Sequence, residues 1–107
     1  MKVYLDNAAT TPLAEEVIGE ISSVMRSHFG NPSSIHQQGR DSRALVEMSR
    51  KKIATFIGAQ SSEIVFTSGG TEADNLAIHA AIHDLKVQHI ISSAIEHSAV
   101  YNTLRKS

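Results

Sequence analysis

One stretch constrains this chain more than any other: Thr67-Ser68-Gly69-Gly70-Thr71-Glu72-Ala73-Asp74-Asn75. A short apolar run, Ile64-Val65-Phe66, precedes it and reads as a buried strand. Leu76-Ala77-Ile78 and Ala80-Ala81-Ile82 follow and read as a helix reaching about Leu85. Strand, glycine-rich turn and helix in that order put free backbone N–H groups and the positive end of a helix dipole at a strand tip. That combination holds anions, most often phosphates. Adjacent Gly69 and Gly70 let a ligand approach the backbone closely. Thr71 can cap the helix with its hydroxyl or offer that hydroxyl to the ligand. The spacing fits neither a Walker A loop nor a GxGxxG fingerprint. On its own, the stretch is equally a turn with an N-cap.

The N-terminal half supplies helices. Val3-Tyr4-Leu5 reads as a short extended segment, and Asp6-Asn7-Ala8-Ala9-Thr10-Thr11 as a polar loop. Thr11 and Pro12 look like a helix cap and first helical position, with Glu15 and Glu16 in the early turns. Val17, Ile18, Ile21, Val24, Met25 and Phe29 fall on one helical face, and Gly30-Asn31-Pro32 stops the helix. A second polar loop, residues 33–39, leads to a helix from about Arg40 to Phe56. Arg43–Glu47 and Glu47–Lys51 are spaced to pair on its outer face.

Beyond the glycine turn, residues 87–92 read as another strand. Ser93-Ala94-Ile95-Glu96-His97-Ser98 leaves its carboxyl end, and a last helix begins at about Ala99. Two strand–loop–helix units in succession suggest an α/β sheet, in which ligands sit at the carboxyl ends of the strands. Residues 68–71 and 93–97 then share one rim. The sheet is thin and the early helices have little to pack on, which suggests a piece of something larger.

Charge and composition narrow the partners. With 107 residues, a net charge of −1 and no basic cluster, nothing points to nucleic acid. No apolar run reaches membrane-spanning length and the N-terminus lacks a signal-peptide core, so a cytoplasmic location is the default expectation. Cysteine is absent, which removes disulfides, thiolate metal sites and a thiol nucleophile.

Several residues carry two readings. His97, next to Glu96 on the expected rim, can stack on a flat ligand, act as acid or base, or cap the last helix. His79 and His83 have the i,i+4 spacing of a metal-binding pair but no completing ligand set, so a solvated face is the simpler expectation. Asp6, with Asn7 and Thr10, can face a ligand or fix a turn. His36 with Arg40 can meet an anionic substrate, or Arg40 can point to water. His28 sits near a helix C-terminus as a dipole or surface residue.

Together these motifs become more specific. The order Tyr4-Leu5-Asp6-Asn7-Ala8-Ala9-Thr10-Thr11, Phe29-Gly30-Asn31-Pro32-Ser33-Ser34-Ile35-His36, Gly39-Arg40, Glu63-Ile64-Val65-Phe66 with the glycine turn, and Ala94-Ile95-Glu96-His97-Ser98-Ala99-Val100 resembles the N-terminal part of a cysteine desulfurase. The branch resembled is the NifS/IscS-like group of class V aminotransferases. The resemblance implies an α/β fold, the first part of a fold-type-I transferase with a mixed sheet flanked by helices. Residues 1–58 would form an N-terminal helical segment and residues 59–107 the start of the cofactor-binding large domain. It implies pyridoxal 5′-phosphate as cofactor and a homodimer. It also implies a reaction that takes sulfur from L-cysteine as an enzyme persulfide, releases L-alanine and passes sulfur to an acceptor protein for iron–sulfur cluster or other sulfur-transfer pathways. By motif match Gly70 and Thr71 would hold the cofactor phosphate. His97 would stack on the pyridine ring and take part in proton transfer, which favours the ligand-facing readings over the helix cap.

The chain departs from the family pattern as well. Its lysines, Lys2, Lys51, Lys52, Lys86 and Lys106, lie in no Ser-x-His-Lys motif, and the persulfide cysteine is missing. The expectation is a chain inactive by itself. The competing expectations are another class V enzyme, such as a selenocysteine lyase or an aminotransferase, and a non-catalytic phosphate-binding or interaction module.

Overall fold

Helices dominate because the apolar residues of the first half recur at helical spacing. The computed structural model describes residues 1–106, and the chain divides into two compact units, Met1–Ile64 and Val65–Ser107.

In the first unit, the Asp6 carbonyl accepts from the N–H groups of Ala9 and Thr10 at 3.1 and 3.3 Å, closing a turn. The Tyr4 and Thr10 hydroxyls meet at 2.6 Å, and Asn7 donates its amide to the Tyr4 carbonyl at 3.3 Å. Turn fixing is thus the observed role of this loop, through backbone Asp6 and side-chain Asn7. Helix α1 spans Glu15–Ser27 and starts three residues after Pro12. Its N-cap, Ala14, is extended and offers no side-chain acceptor. Thr-Pro favours an extended chain as well as a helix start, and here Glu15 and Glu16 mark the first turn instead. The helix buries none of its residues: Val17, Ile18, Ile21 and Met25 remain exposed, as does Phe29 just beyond it.

The loop after α1 folds back on the next helix, and two glycines make that possible. Asn31 builds an Asx turn, its Oδ1 accepting from Ser33 N–H and its carbonyl from Ser34 N–H, both at 2.9 Å. Gly39 is buried under this loop. A Cβ there would lie 2.5 Å from the Ser34 carbonyl oxygen and 2.7 Å from that of Asn31. A Cβ on Gly30 would collide with the Gln38 carbonyl.

Helix α2 runs Gln37–Ile57 and ends at Gly58 in the left-handed conformation, φ 72°, its N–H reaching Ala54 and Thr55 carbonyls. Glu47 pairs with Arg50 at 3.2 Å rather than with Arg43 or Lys51 as the spacing suggested. The Arg50 guanidinium also donates to the Ile64 carbonyl, which ties the 3₁₀ turn Ser61–Glu63 to α2.

The second unit contains α3, Gly70–His79, which continues as a π-helical turn over Ala80–Asp84. The chain leaves it through Lys86 at φ 54°, with Val87 N–H bonded to the Ala81 carbonyl at 3.0 Å. Helix α4 covers Ser98–Lys106. It packs against α3 through Thr103, whose hydroxyl lies 2.7 Å from both Asn75 Oδ1 and the Ala99 carbonyl and shares its one proton between them.

The expected sheet is not confirmed among the described residues. No strand occurs among the described residues, neither at residues 3–5, nor at 64–67, nor at 87–92. A strand exists only through a ladder with an adjacent strand, and among the described residues no such ladder is assigned to these runs. Their side chains stay open, with Val65 64% and Ile91 99% exposed. Among the described residues no helix is long and apolar enough to cross a membrane.

Candidate functional site

The glycine turn is built from Thr67 onward. The Thr67 hydroxyl donates to the Gly69 carbonyl at 3.2 Å, and Gly69, the N-cap of α3, is fully extended. Its φ of 166° suits any residue, so the turn does not need glycine for its conformation. What glycine supplies is room: a Cβ at Gly69 or Gly70 would meet nothing within 4 Å. The N–H groups of Gly70, Thr71 and Glu72 open the helix, where no carbonyl of the same helix can reach them. Open space over two glycines beside helix-opening N–H groups fits a phosphate.

The turn already holds one anion of its own. Glu72 Oε2 accepts from both the hydroxyl and the backbone N–H of Ser68 at 2.6 Å. The Ser68 hydroxyl first, and then its N–H, hold the Glu72 carboxyl below the usual range, against a small opposing effect of burial. Thr71 makes no cap, since α3 has no side-chain cap bond. Its carbonyl accepts from the Asn75 amide at 2.6 Å, and its side chain stays exposed. Sequence reading named Thr71 as the capping candidate and missed Glu72. The signal was an acid in the first turn of a helix, a position from which a carboxylate reaches back to the chain before the helix.

His97 stands at the N-cap of α4. Its carbonyl accepts from Val100 and Tyr101 N–H at 2.9 and 3.1 Å, and its ring Nδ1 accepts from Ala99 N–H at 3.2 Å. That bond assigns the neutral ring its proton on Nε2. The ring remains exposed. Between α3 and α4 lies a groove of about 550 Å³, lined at one end by Thr71, Ser98 and Ala99. Thr71 is thus brought beside the two residues that follow His97, whereas Gly70 and His97 do not line the groove.

The other candidates are accounted for locally. His36 caps α2, its Nδ1 accepting from Gly39 N–H at 3.3 Å. Arg40 donates to the Ile35 carbonyl and, at 2.7 Å, to Gln37 Oε1, so it braces its own loop. His28 Nδ1 meets the Ser27 hydroxyl at 2.9 Å. The rings of His79 and His83 lie nearly parallel, 5.6 Å apart.

Comparison with known proteins follows this geometry. The model of the Aminotransferase class-V family matches residues 3–106. The cysteine desulfurase IscS of Dictyoglomus turgidum is 54% identical over 101 residues, covering 92% of this chain and 26% of the relative. The cysteine desulfurase IscS of Methanosarcina thermophila is 50% identical over 103 residues, covering 94% and 26%. Among solved structures, a NifS-like protein superposes with a TM-score of 0.87 at 36% identity, covering 99% of this chain and 30% of the other. The chain spans about a quarter of the length (26%) of these curated relatives.

Proposed function

This chain belongs to the class V aminotransferase family, and from that premise we propose that it supplies the N-terminal part of a pyridoxal-phosphate-dependent cysteine desulfurase. The observation that carries the reading is the opening of α3. Unobstructed space over Gly69 and Gly70 meets helix-opening N–H groups there, in a chain 54% identical to a cysteine desulfurase. Residues 1–58 serve as an N-terminal helical segment and residues 59–107 begin the cofactor-binding domain. The mixed sheet forms when residues 64–67 and 87–92 gain strand partners.

In this reading Gly70 and Thr71 hold the cofactor phosphate, the first through its N–H and the second through N–H and hydroxyl. Bound there, the cofactor supplies an electron sink that stabilises carbanions. His97 would lay its ring against the pyridine, with the proton of the neutral ring on Nε2 because Nδ1 accepts from Ala99 N–H. Glu72 occupies the Ser68 donors and so confines the incoming anion to the amides of the next turn. The substrate is L-cysteine, the products are L-alanine and an enzyme persulfide, and a sulfur acceptor protein and a homodimer belong to the whole enzyme. This chain has no cysteine and no Ser-x-His-Lys lysine, so it carries the phosphate and ring contacts without the sulfur-accepting step. The names of the relatives favour this reading over a selenocysteine lyase, another aminotransferase or a free-standing phosphate-binding module.

The test separates holding from chemistry. The chain is titrated with pyridoxal phosphate and with pyridoxal, and binding is followed by ligand absorbance and NMR. Preference for the phosphorylated form, reduced in Thr71→Val, is expected, with no alanine released from L-cysteine. His97→Asn preserves a capping acceptor but removes the ring, so it should keep α4 intact while losing the ring-dependent part of the affinity. Equal binding of both ligands, or alanine from this chain alone, would sink the proposal.

A further inference from the structure

The groove between α3 and α4 holds a second cluster, away from the glycine turn. His79 is the last residue of α3, and His83 lies within the π-helical turn. Both line the groove, together with Asn102 and Lys106. In an unbroken α-helix, positions four apart overshoot a full turn by about 40°. A π turn takes more residues per turn, so the switch at Ala80 cancels that overshoot and brings the two histidines into line. The result is a pair of nearly parallel rings, 14° between planes and 5.6 Å between centres. Among the described residues, neither imidazole has a hydrogen-bond partner. Both side chains are exposed.

We propose that the imidazoles of His79 and His83 form a two-nitrogen site for a borderline divalent cation such as Zn²⁺, Ni²⁺ or Cu²⁺. Imidazole nitrogen is the ligand these ions favour. A cation about 2.0–2.1 Å from one nitrogen of each ring lies about 3 Å from each ring centre, so the centres must stand within about 6 Å. The observed 5.6 Å meets that limit. As they stand the rings present their faces to each other, so binding requires rotation about χ2 at these exposed side chains to turn a nitrogen of each toward the point between them. Water completes the coordination. Lys106 on the same groove opposes a cation by charge, which gives the site a distinguishing response.

The experiment is calorimetric titration of the untagged 107-residue chain with Zn²⁺ alone, repeated on variants whose helicity is checked by circular dichroism. One equivalent is expected. Affinity should fall in His79→Ala and in His83→Ala by at least the roughly tenfold that follows loss of an outer-shell partner. It should stay unchanged in His89→Ala and rise in Lys106→Gln. In NMR spectra, the ring protons of His79 and His83 should shift or broaden together with added Zn²⁺, whatever the state of association. Binding that survives both histidine variants, that falls equally in His89→Ala, or that weakens in Lys106→Gln overturns the proposal.

Discussion

At the residue scale, Glu72 shows how a side chain can occupy the donors of a glycine turn. Its carboxylate takes two donors from Ser68, and both favour the charged form. The folded carboxyl therefore titrates below its unfolded value. The linkage has a fixed sign: the contribution to stability is full above the unfolded value and disappears as pH falls through the lowered folded one. An NMR titration should show the Glu72 carboxyl and the Ser68 amide moving together, with a midpoint below that of an ordinary glutamate. In Glu72→Gln the acid transition of the Ser68 amide should vanish. A Ser68 amide that titrates unchanged in Glu72→Gln would contradict the assignment. The donors on Ser68 and the acid at Glu72 were all visible in the sequence. Which acceptor they would choose was not, because a hydroxyl and an N–H serve a carboxylate and a phosphate equally well.

At the element scale, helix boundaries followed local chemistry more faithfully than strands did. Gly58 ended α2 as a left-handed cap should, and His97 preceded α4. The use of His36 and His97 as side-chain caps departs from the usual serine, threonine, aspartate and asparagine. In each case a ring nitrogen simply replaces the oxygen. The loop over α2 depends on backbone contact at Gly39, so Gly39→Ala should push the Asn31 and Ser34 carbonyls away. Overpacking of that kind costs about 1–3 kcal/mol, measurable as a lowered melting temperature of α2 by circular dichroism. A variant as stable as the parent would show that this loop gives way freely. The same contact was hidden in the sequence, where Gly39 reads as the end of a polar loop before Arg40. Residues 64–67 and 87–92 mark the opposite failure. Their apolar, β-branched composition is correct for strands, yet composition cannot supply the neighbour that makes a strand.

At the scale of the whole molecule, surface area is the dominant fact. Among the described residues only Ala54 and Ala99 are buried hydrophobics, while Phe29, Phe56, Ile91 and Ile95 are each more than three-quarters exposed. So much open apolar surface drives association or demands cover. Sedimentation of the 107-residue chain should show association that grows with concentration, accompanied by strong binding of a hydrophobic dye. A monodisperse, dye-silent chain with a sharp melting transition would instead indicate a core this structure does not contain.

The sequence by itself determined the main helices, the Gly58 stop of α2, the glycine turn that opens α3 and the family to which the chain belongs. Those features rest on local spacing, on caps and on ordered motifs, which need no distant partner. Helix α1, by contrast, ended at Ser27 with His28 as its cap, short of Gly30. Tertiary structure alone decided that Glu72 takes the Ser68 donors, that His97 caps α4, that His79 and His83 align over a π turn, and that the apolar runs remain without a sheet. Each of those outcomes depends on which groups meet in space, and a side chain or strand edge settles on whatever partner geometry brings within hydrogen-bonding distance.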